Sequence, residues 1–413
     1  LKNIRVLYDK KFEMTSLVMP IVFESLRDCH PENASSEGLL EYYGVTKQPK
    51  KAVFIGKCAT SLYSGFRKFY KNIPSFVYSV GEGKDCSTKT TIFKYGSHPL
   101  PSRKNVQCCK DLVKFLEKDK GDTLFFISGG TSSLLCLPEE GFTLKEISRI
   151  EKNLLLSGAP IKEINIVRMA LSKLRGGGIA EIVKPFNFYA FIWCDVNGKD
   201  YKMVGSAPLG GFKLDLKNEA QKILSKYNIN INSPIAQKFV KKEKRGSKVI
   251  KLFDGESLIN QISIRLKGRE IKTKILKFKE GTTAEEVAKA ILMSVKKTNG
   301  PMVFLGNGEF IVNVKKEGFG GRCSHLCLLV YRYLKEEKNW FFSAIATDGK
   351  DGNGGGGGFI HSKCSFEENE IEKHLANFSS GKLLKKYNLL YERSDSGNNL
   401  RDIFVLVVEK KSG

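Results

Sequence analysis

No stretch of the chain approaches the ~18 consecutive apolar residues that a membrane-spanning helix needs. Its most apolar runs, Phe188 to Trp193 and Ile403 to Val408, have only the length of a strand. The ten cysteines include no Cys-x-x-Cys pair, and neither Cys108-Cys109 nor Cys323/Cys327 matches a zinc pattern with histidine. A disulfide-stapled framework is therefore not expected. Cys136 and Cys194 sit inside apolar strings, where a thiol behaves as a small core residue. Reduced thiols point to an intracellular, cytoplasmic setting, with a mitochondrial one also open. Leu1 rather than Met begins the chain, which leaves a removed targeting segment undecided. Internal repeats and the aromatic-basic signature of nucleic-acid modules are absent too.

Acidic residues are scarce. They number 44 against 68 Lys and Arg, a formal charge of +24. Such an excess favours anionic partners in general. The lysines are nevertheless spread widely, and the tightest cluster, Lys241-Lys242-Glu243-Lys244-Arg245, falls in an expected linker. A solvated lysine-rich surface is the preferred reading. Neither nucleic acid nor membrane is expected as a partner, and the oligomeric state is not legible.

What is present begins with length. A chain of 413 residues exceeds what one core usually holds, so two domains are expected. The central stretch is Thr123 to Ile127 running into Ser128-Gly129-Gly130-Thr131-Ser132-Ser133. A short apolar run bounded by turn residues suits a strand covered on both faces, as in a parallel sheet. Gly-Gly lets the backbone turn sharply and present its N–H groups, and the flanking hydroxyls make a bed for phosphate or carboxylate oxygens. A tight strand-to-helix turn without ligand fits the same residues. A Walker loop is excluded because no Gly-Lys-Ser/Thr follows, and a dinucleotide fingerprint because the glycine spacing is wrong.

Residues 14–30 carry apolar positions at helical spacing. Lys51 to Ile55 reads as a strand that breaks at Gly56-Lys57, and Val77 to Val80 as a second strand. Glu82 to Pro101 reads as a polar, turn-rich loop, and Val106 to Leu116 as a helix. Thr143 and Glu146 form a capping box that opens a helix stopped by Ser157-Gly158. A further helix is expected from Lys162 to Arg175, then a strand that delivers Asp195 to its C-terminal end. Strands alternating with helices predict an α/β chain with a Rossmann-like, doubly wound parallel sheet, whose ligands bind beyond the carboxyl ends of the strands. The expected division is 1–240 for that domain, 241–248 for a basic linker and 249–413 for a second α/β domain. Strands there are expected at Val249–Phe253, Ile275–Phe278, Val303–Leu305 and Ser343–Ala346, with helices at Ser257–Lys267 and Thr283–Lys296. Gly354 to Gly358 is expected to be flexible.

In order, Gly56-Lys57-Cys58-Ala59, His98-Pro99-Leu100-Pro101, Ser128 to Leu134, Asn165 to Arg168 with Leu171 to Gly177, Asp195-Val196 and Ser206-Ala207-Pro208 follow a known pattern. Gly308-Glu309, Gly320-Gly321-Arg322, Thr347 to Gly352 and Asn399 to Asp402 continue it. The chain resembles the glycerate 2-kinase family, the class II glycerate kinases with a MOFRL C-terminal domain, over nearly its whole length. It departs where the family usually shows Asn-Gln-Glu and this chain has Cys323-Ser324-His325. It departs again at Phe310-Ile311, where two threonines are usual, and after Gly352, where Asn353 and a glycine run stand.

The resemblance implies ATP- and Mg²⁺-dependent phosphorylation of D-glycerate at its 2-hydroxyl, giving 2-phosphoglycerate, in a cleft between the domains. Under it, Lys57, Asp195 and Arg322 are the expected catalytic residues. Ser128, Gly129, Gly130, Thr131 and Ser132, with Asp348 and Asp351, would hold phosphate or nucleotide, and Asn165 and Arg168 would hold the substrate. Mg²⁺ would lie near Asp195 or Asp348. Asp195 also suits a turn cap, Arg168 a structural salt bridge, and Asp348 and Asp351 a pair of Asx turns. His325, alone among apolar residues, is expected to pack. A degenerate relative that binds a small anion or nucleotide without turnover is the alternative, ahead of a nucleic-acid binder acting through its basic surface.

Overall fold

The structure, a computed structural model, describes residues 12–35, 39–45, 48–81, 83–194, 198–315 and 318–409. It divides into two compact units, 31–253 and 1–30 with 254–413. Strands of the first unit are β1 (Lys51–Gly56), β2 (Ser75–Val80), β3 (Cys86–Ser87), β4 (Thr91–Gly96), β5 (Thr123–Ser128), β6 (Phe188–Cys194), β7 (Leu214–Asp215), β8 (Phe239–Val240) and β9 (Lys248–Asp254). Seven form one sheet in the order β3-β4-β2-β1-β5-β6-β9, while β7 and β8 make a separate hairpin.

From β4 through β2, β1 and β5 to β6 every pairing is parallel. The two faces follow from strand periodicity. Phe54, Phe126 and Phe191 are register partners on β1, β5 and β6, and their rings stack at 4.7 and 5.0 Å. Phe66 of the helix Ala59–Phe69 covers that ladder. Val53, Ile55, Phe125, Ile127 and Ile192 face the other way, into a core with Cys109, Leu112 and Leu116 of the helix Arg103–Glu117 and with Ile179 and Val183. With helices on both faces, the doubly wound reading stands. A separate cluster, built by the helices Leu144–Leu156, Ile161–Ala170 and Leu216–Lys226, packs around Ile147, Ile150, Ile164 and Leu216.

Strands of the second unit are β10 (Thr273–Ile275), β11 (Met302–Asn307), β12 (Trp340–Ala346), β13 (Gly357–His361) and β14 (Asp402–Val408), ordered β10-β11-β14-β12-β13. Only β10 and β11 run parallel; the β11–β14, β14–β12 and β12–β13 pairs are antiparallel. The end of β11, the start of β14 and the end of β12 therefore share one edge. The N-terminal helix Glu13–Asp28 belongs to this unit: Glu409 accepts from the Thr15 amide at 2.9 Å and its hydroxyl at 2.7 Å.

Several sequence expectations are corrected. The 82–101 stretch contains β3, a short exposed edge strand, and β4 beside it, whose mixed polar and apolar residues are largely half-buried. The helix after Lys162 ends at Ala170, and its successor starts at Gly178. Residues 276–278 lie beyond β10. The strand at 249–253 joins the first sheet, so the division falls at Phe253/Asp254 rather than in the basic stretch.

Gly354 to Gly358 is buried throughout, not a flexible tether. The Gly356 carbonyl accepts from the Ala346 amide, and its own amide donates to Tyr391. Gly357 has φ +112°, and a β-carbon there would lie 2.2 Å from the Ala344 carbonyl oxygen. Glycine is required by this close approach rather than by a need for mobility.

Candidate functional site

The parallel strands leave β1 in one direction toward β2 and β4, and from β5 in the other toward β6. The sheet's topological switch therefore lies between β1 and β5, where ligands bind in open α/β sheets. Both motif loops emerge there. Gly56 closes β1 with φ +118°, and a β-carbon on it would come within 2.3 Å of Ser128 Oγ and 2.7 Å of the Gly129 carbonyl oxygen. The loops are then bonded together. The Lys57 amide donates to the Gly129 carbonyl at 2.8 Å, and the Cys58 amide to Ser128 Oγ at 3.0 Å. Thr131 Oγ1 donates to the carbonyls of Ile55 and Ser128 at 3.0 and 2.8 Å. Ser128 and Thr131 thus shape the loop through their hydroxyls, whereas Ser132 Oγ reaches Ser206 Oγ at 3.0 Å.

Lys57 and His98 flank Gly130, whose β-carbon position is 3.1 Å from Lys57 Cγ and 3.4 Å from His98 Cδ2. Burial, reinforced by the Lys57 charge, pulls the His98 imidazole down to about 4. Beneath the loop a charged network runs inward. Arg175, 1% exposed, donates to the Ser132 carbonyl and lies 3.6 Å from Glu151, which Arg168 meets at 3.1 Å. Asn165 Oδ1 lies 3.5 Å from Arg168. Expected as substrate ligands, Asn165 and Arg168 are joined to the loop through Glu151 and Arg175. The sequence alone singles out neither partner, although Arg175 stands in the Leu171 to Gly177 motif. Asp195 lies outside the described residues; β6, which precedes it, ends on the same sheet edge as Gly56 and Ser128.

A second constellation gathers at the shared edge of the smaller sheet. Arg322 opens the helix Arg322–Leu334, with Nε 3.0 Å from Asp402 Oδ2 and Nη1 3.1 Å from Glu309 Oε2. Burial pushes the Asp402 carboxyl up to about 7, with Arg322 pulling it back down. The Asp351 carboxylate caps the helix, accepting from the Cys323 and Ser324 amides at 2.9 and 2.8 Å. Asp348 accepts from the Lys350 amide at 3.0 Å in an Asx turn. Asn353, one of the departures, accepts from the Gly320 amide at 2.9 Å and so tethers the glycine loop. Glu309 and Asp402 stand in the Gly308-Glu309 and Asn399 to Asp402 motifs, which by themselves point to no role for either. Their pairing with Arg322 depends on a strand order that no local spacing reveals. Beside Arg322 a cleft of about 580 Å³ opens, lined by Phe310, Ile311, His325 and Phe378 among others. His325 packs, as expected, stacked on Phe378 at 5.9 Å.

Residues 18–240 match the family described as "Domain of unknown function (DUF4147)", and residues 302–402 match the MOFRL family. The chain is 26% identical to the D-glycerate 2-kinase of Thermotoga maritima over 95% of this chain and 98% of that protein. It is 28% identical to the glycerate 2-kinase of Picrophilus torridus, over 94% of this chain and 95% of the other. The crystal structure of a glycerate kinase from Thermotoga maritima shares the fold, with a TM-score of 0.85, 24% identity and coverage of 96% and 99%. Fold and relatives together define a kinase. The chain belongs to the glycerate 2-kinase family, with a DUF4147 region followed by a MOFRL region. Among the described residues no helix is long and apolar enough to cross a membrane.

Proposed function

We propose that the protein transfers the γ-phosphoryl group of ATP to the 2-hydroxyl of D-glycerate, giving 2-phosphoglycerate and ADP. The observation that carries this reading is the locking of the Gly56-Lys57 turn to the Ser128–Ser132 loop at the sheet's switch point, in a chain whose relatives are named glycerate 2-kinases. Phosphoryl transfer asks for little covalent help from a protein. It needs in-line positioning and preorganised charge around the moving group.

Lys57 supplies a cation beside the loop, and His98, neutral at working pH, adds no competing charge. Backbone amides of Gly129 and Gly130 and the Ser132 hydroxyl hold phosphate oxygens, with Ser128 and Thr131 fixing the loop's shape. Asp195 takes the proton of the acceptor hydroxyl. Arg322, oriented on two sides by Glu309 and Asp402, offers its guanidinium to the transferring phosphoryl group. Asn165 and Arg168 support the loop from beneath through Glu151 and Arg175.

Mg²⁺ carried by a nucleotide neutralises phosphate oxygens, and proteins hold it with one or two carboxylates and waters. Among the described residues no group of three metal-ligating side chains stands together. Asp351 is committed to its helix cap, and Asp402 and Glu309 to Arg322. Asp348, half-buried in its turn, and Asp195 are the carboxylates that would hold the ion.

A coupled assay with ATP, Mg²⁺ and D-glycerate tests the reading. Lys57→Ala and Asp195→Asn should each lower kcat/KM by about a hundredfold or more, as loss of a transition-state contact does. Full activity in both variants would overturn it.

A further inference from the structure

The cleft beside Arg322 carries apolar surface that the transfer chemistry leaves unused. Its volume of about 580 Å³ falls within the roughly 300–1,000 Å³ of small-molecule sites. All of its lining belongs to the unit 254–413. Ile311 and Val314, 44% and 61% exposed, leave large apolar side chains open to solvent at its walls. Phe310 is buried and fixed edge-on against Phe278 at 5.5 Å and tilted against Phe404 at 6.0 Å. The His325 and Phe378 rings lie 16° from parallel, and burial, then the Arg332 charge, hold His325 down to about 4. At physiological pH that pair is flat and uncharged. Arg322 and Lys350 also line the cleft, with side chains 42% and 41% exposed; Arg322 is paired with Glu309 and Asp402 and Lys350 with Asp395, and Glu309 and Asp351 share the lining.

Flat uncharged rings beside exposed apolar side chains, with cations in the same cleft, suit a ligand that is a planar ring at one end and anionic at the other. The acceptor does not fit that description. Each of the three carbons of D-glycerate bears oxygen, which leaves no apolar surface to bury. We propose that this cleft binds the purine base of the nucleotide, with the phosphates directed toward Arg322 and Lys350. The proposal rests on the ATP-dependent reading above. It assigns Phe310, Ile311 and His325, positions where this chain departs from its family's usual motifs, to the nucleotide rather than to the acceptor.

The test is calorimetric titration of the intact protein with ADP and, separately, with inorganic pyrophosphate, which has phosphates but no base. The double variant Ile311→Thr/Val314→Ser alters exposed side chains, and its fold is checked by thermal melting. Its Kd for ADP should rise about tenfold while its Kd for pyrophosphate stays put. Lys350→Ala should weaken both. In the coupled assay the apparent KM for ATP should rise in the double variant, and that for D-glycerate should not. Unchanged ADP affinity, equal loss of ADP and pyrophosphate, or a rise in the D-glycerate KM alone would each overturn the proposal. If the ADP pattern appears without turnover of D-glycerate, the acceptor assignment fails and the cleft stands. Should turnover occur while the variant keeps its ADP affinity, only the cleft assignment falls.

Discussion

At the scale of single residues, Lys57 and His98 test each other. Burial and the Lys57 charge both hold the His98 imidazole near 4. Lys57→Ala removes the second cause and keeps the first. The His98 titration midpoint, followed by NMR, should therefore move up in the variant yet stay below the ordinary ~6.5. No movement would separate the two side chains and weaken the case for a shared site. Asp402 makes the opposite kind of prediction. Its carboxyl is raised to about 7, against ~3.9 in an unfolded chain. Between those values the folded protein holds a proton that the unfolded chain releases, so stability falls as pH rises through the window. Relative to Asp402→Asn, the wild type should be most favoured near the acid end and lose that advantage as pH passes 7. Denaturant titrations of both proteins at a series of pH values would show it.

At the scale of elements, what was legible followed how local the cause is. Strands buried on both faces, such as Thr123–Ser128, announce themselves as apolar runs, and capped helices by their first four residues. Thr283 and Glu286 form both bonds of their capping box; Thr143 accepts from the Glu146 amide, while the Glu146 side chain accepts from the Asn232 amide instead. Strand β4 escaped because its residues are only half-buried and mix polar with apolar. The glycine run misled because composition cannot distinguish a tether from a backbone pressed against its neighbour. Gly357→Ala should settle which it is. With the Ala344 carbonyl 2.2 Å from the new β-carbon and φ at +112°, unfolding free energy should drop by about 2 kcal/mol or more. A flexible run would tolerate alanine at no cost. Glu151 and Arg175 were missed for a related reason, since their value lies in contacts between elements far apart in sequence.

At the scale of the whole molecule, the glycine run after Gly352, one of the altered strings behind the degenerate alternative, is buried and closely packed. Of the altered residues, Phe310, Ile311 and His325 line a defined cleft and Asn353 tethers a loop, and Arg322 is paired with two carboxylates. The unit boundary at 253/254, with residues 1–30 in the second unit, was beyond sequence reading because it depends on which sheet a strand joins. The formal charge of +24 should produce only weak binding to mixed DNA or RNA, lost near physiological salt; sequence-selective, salt-resistant retention would contradict that. The central claim is chemical, and one measurement addresses it directly. Phosphorus NMR of the product formed from ATP, Mg²⁺ and D-glycerate should show a single new phosphate ester on the 2-hydroxyl, formed more slowly by about a hundredfold or more with Lys57→Ala. An ester on the 3-hydroxyl, or ATP consumption with no ester of glycerate, would contradict the account.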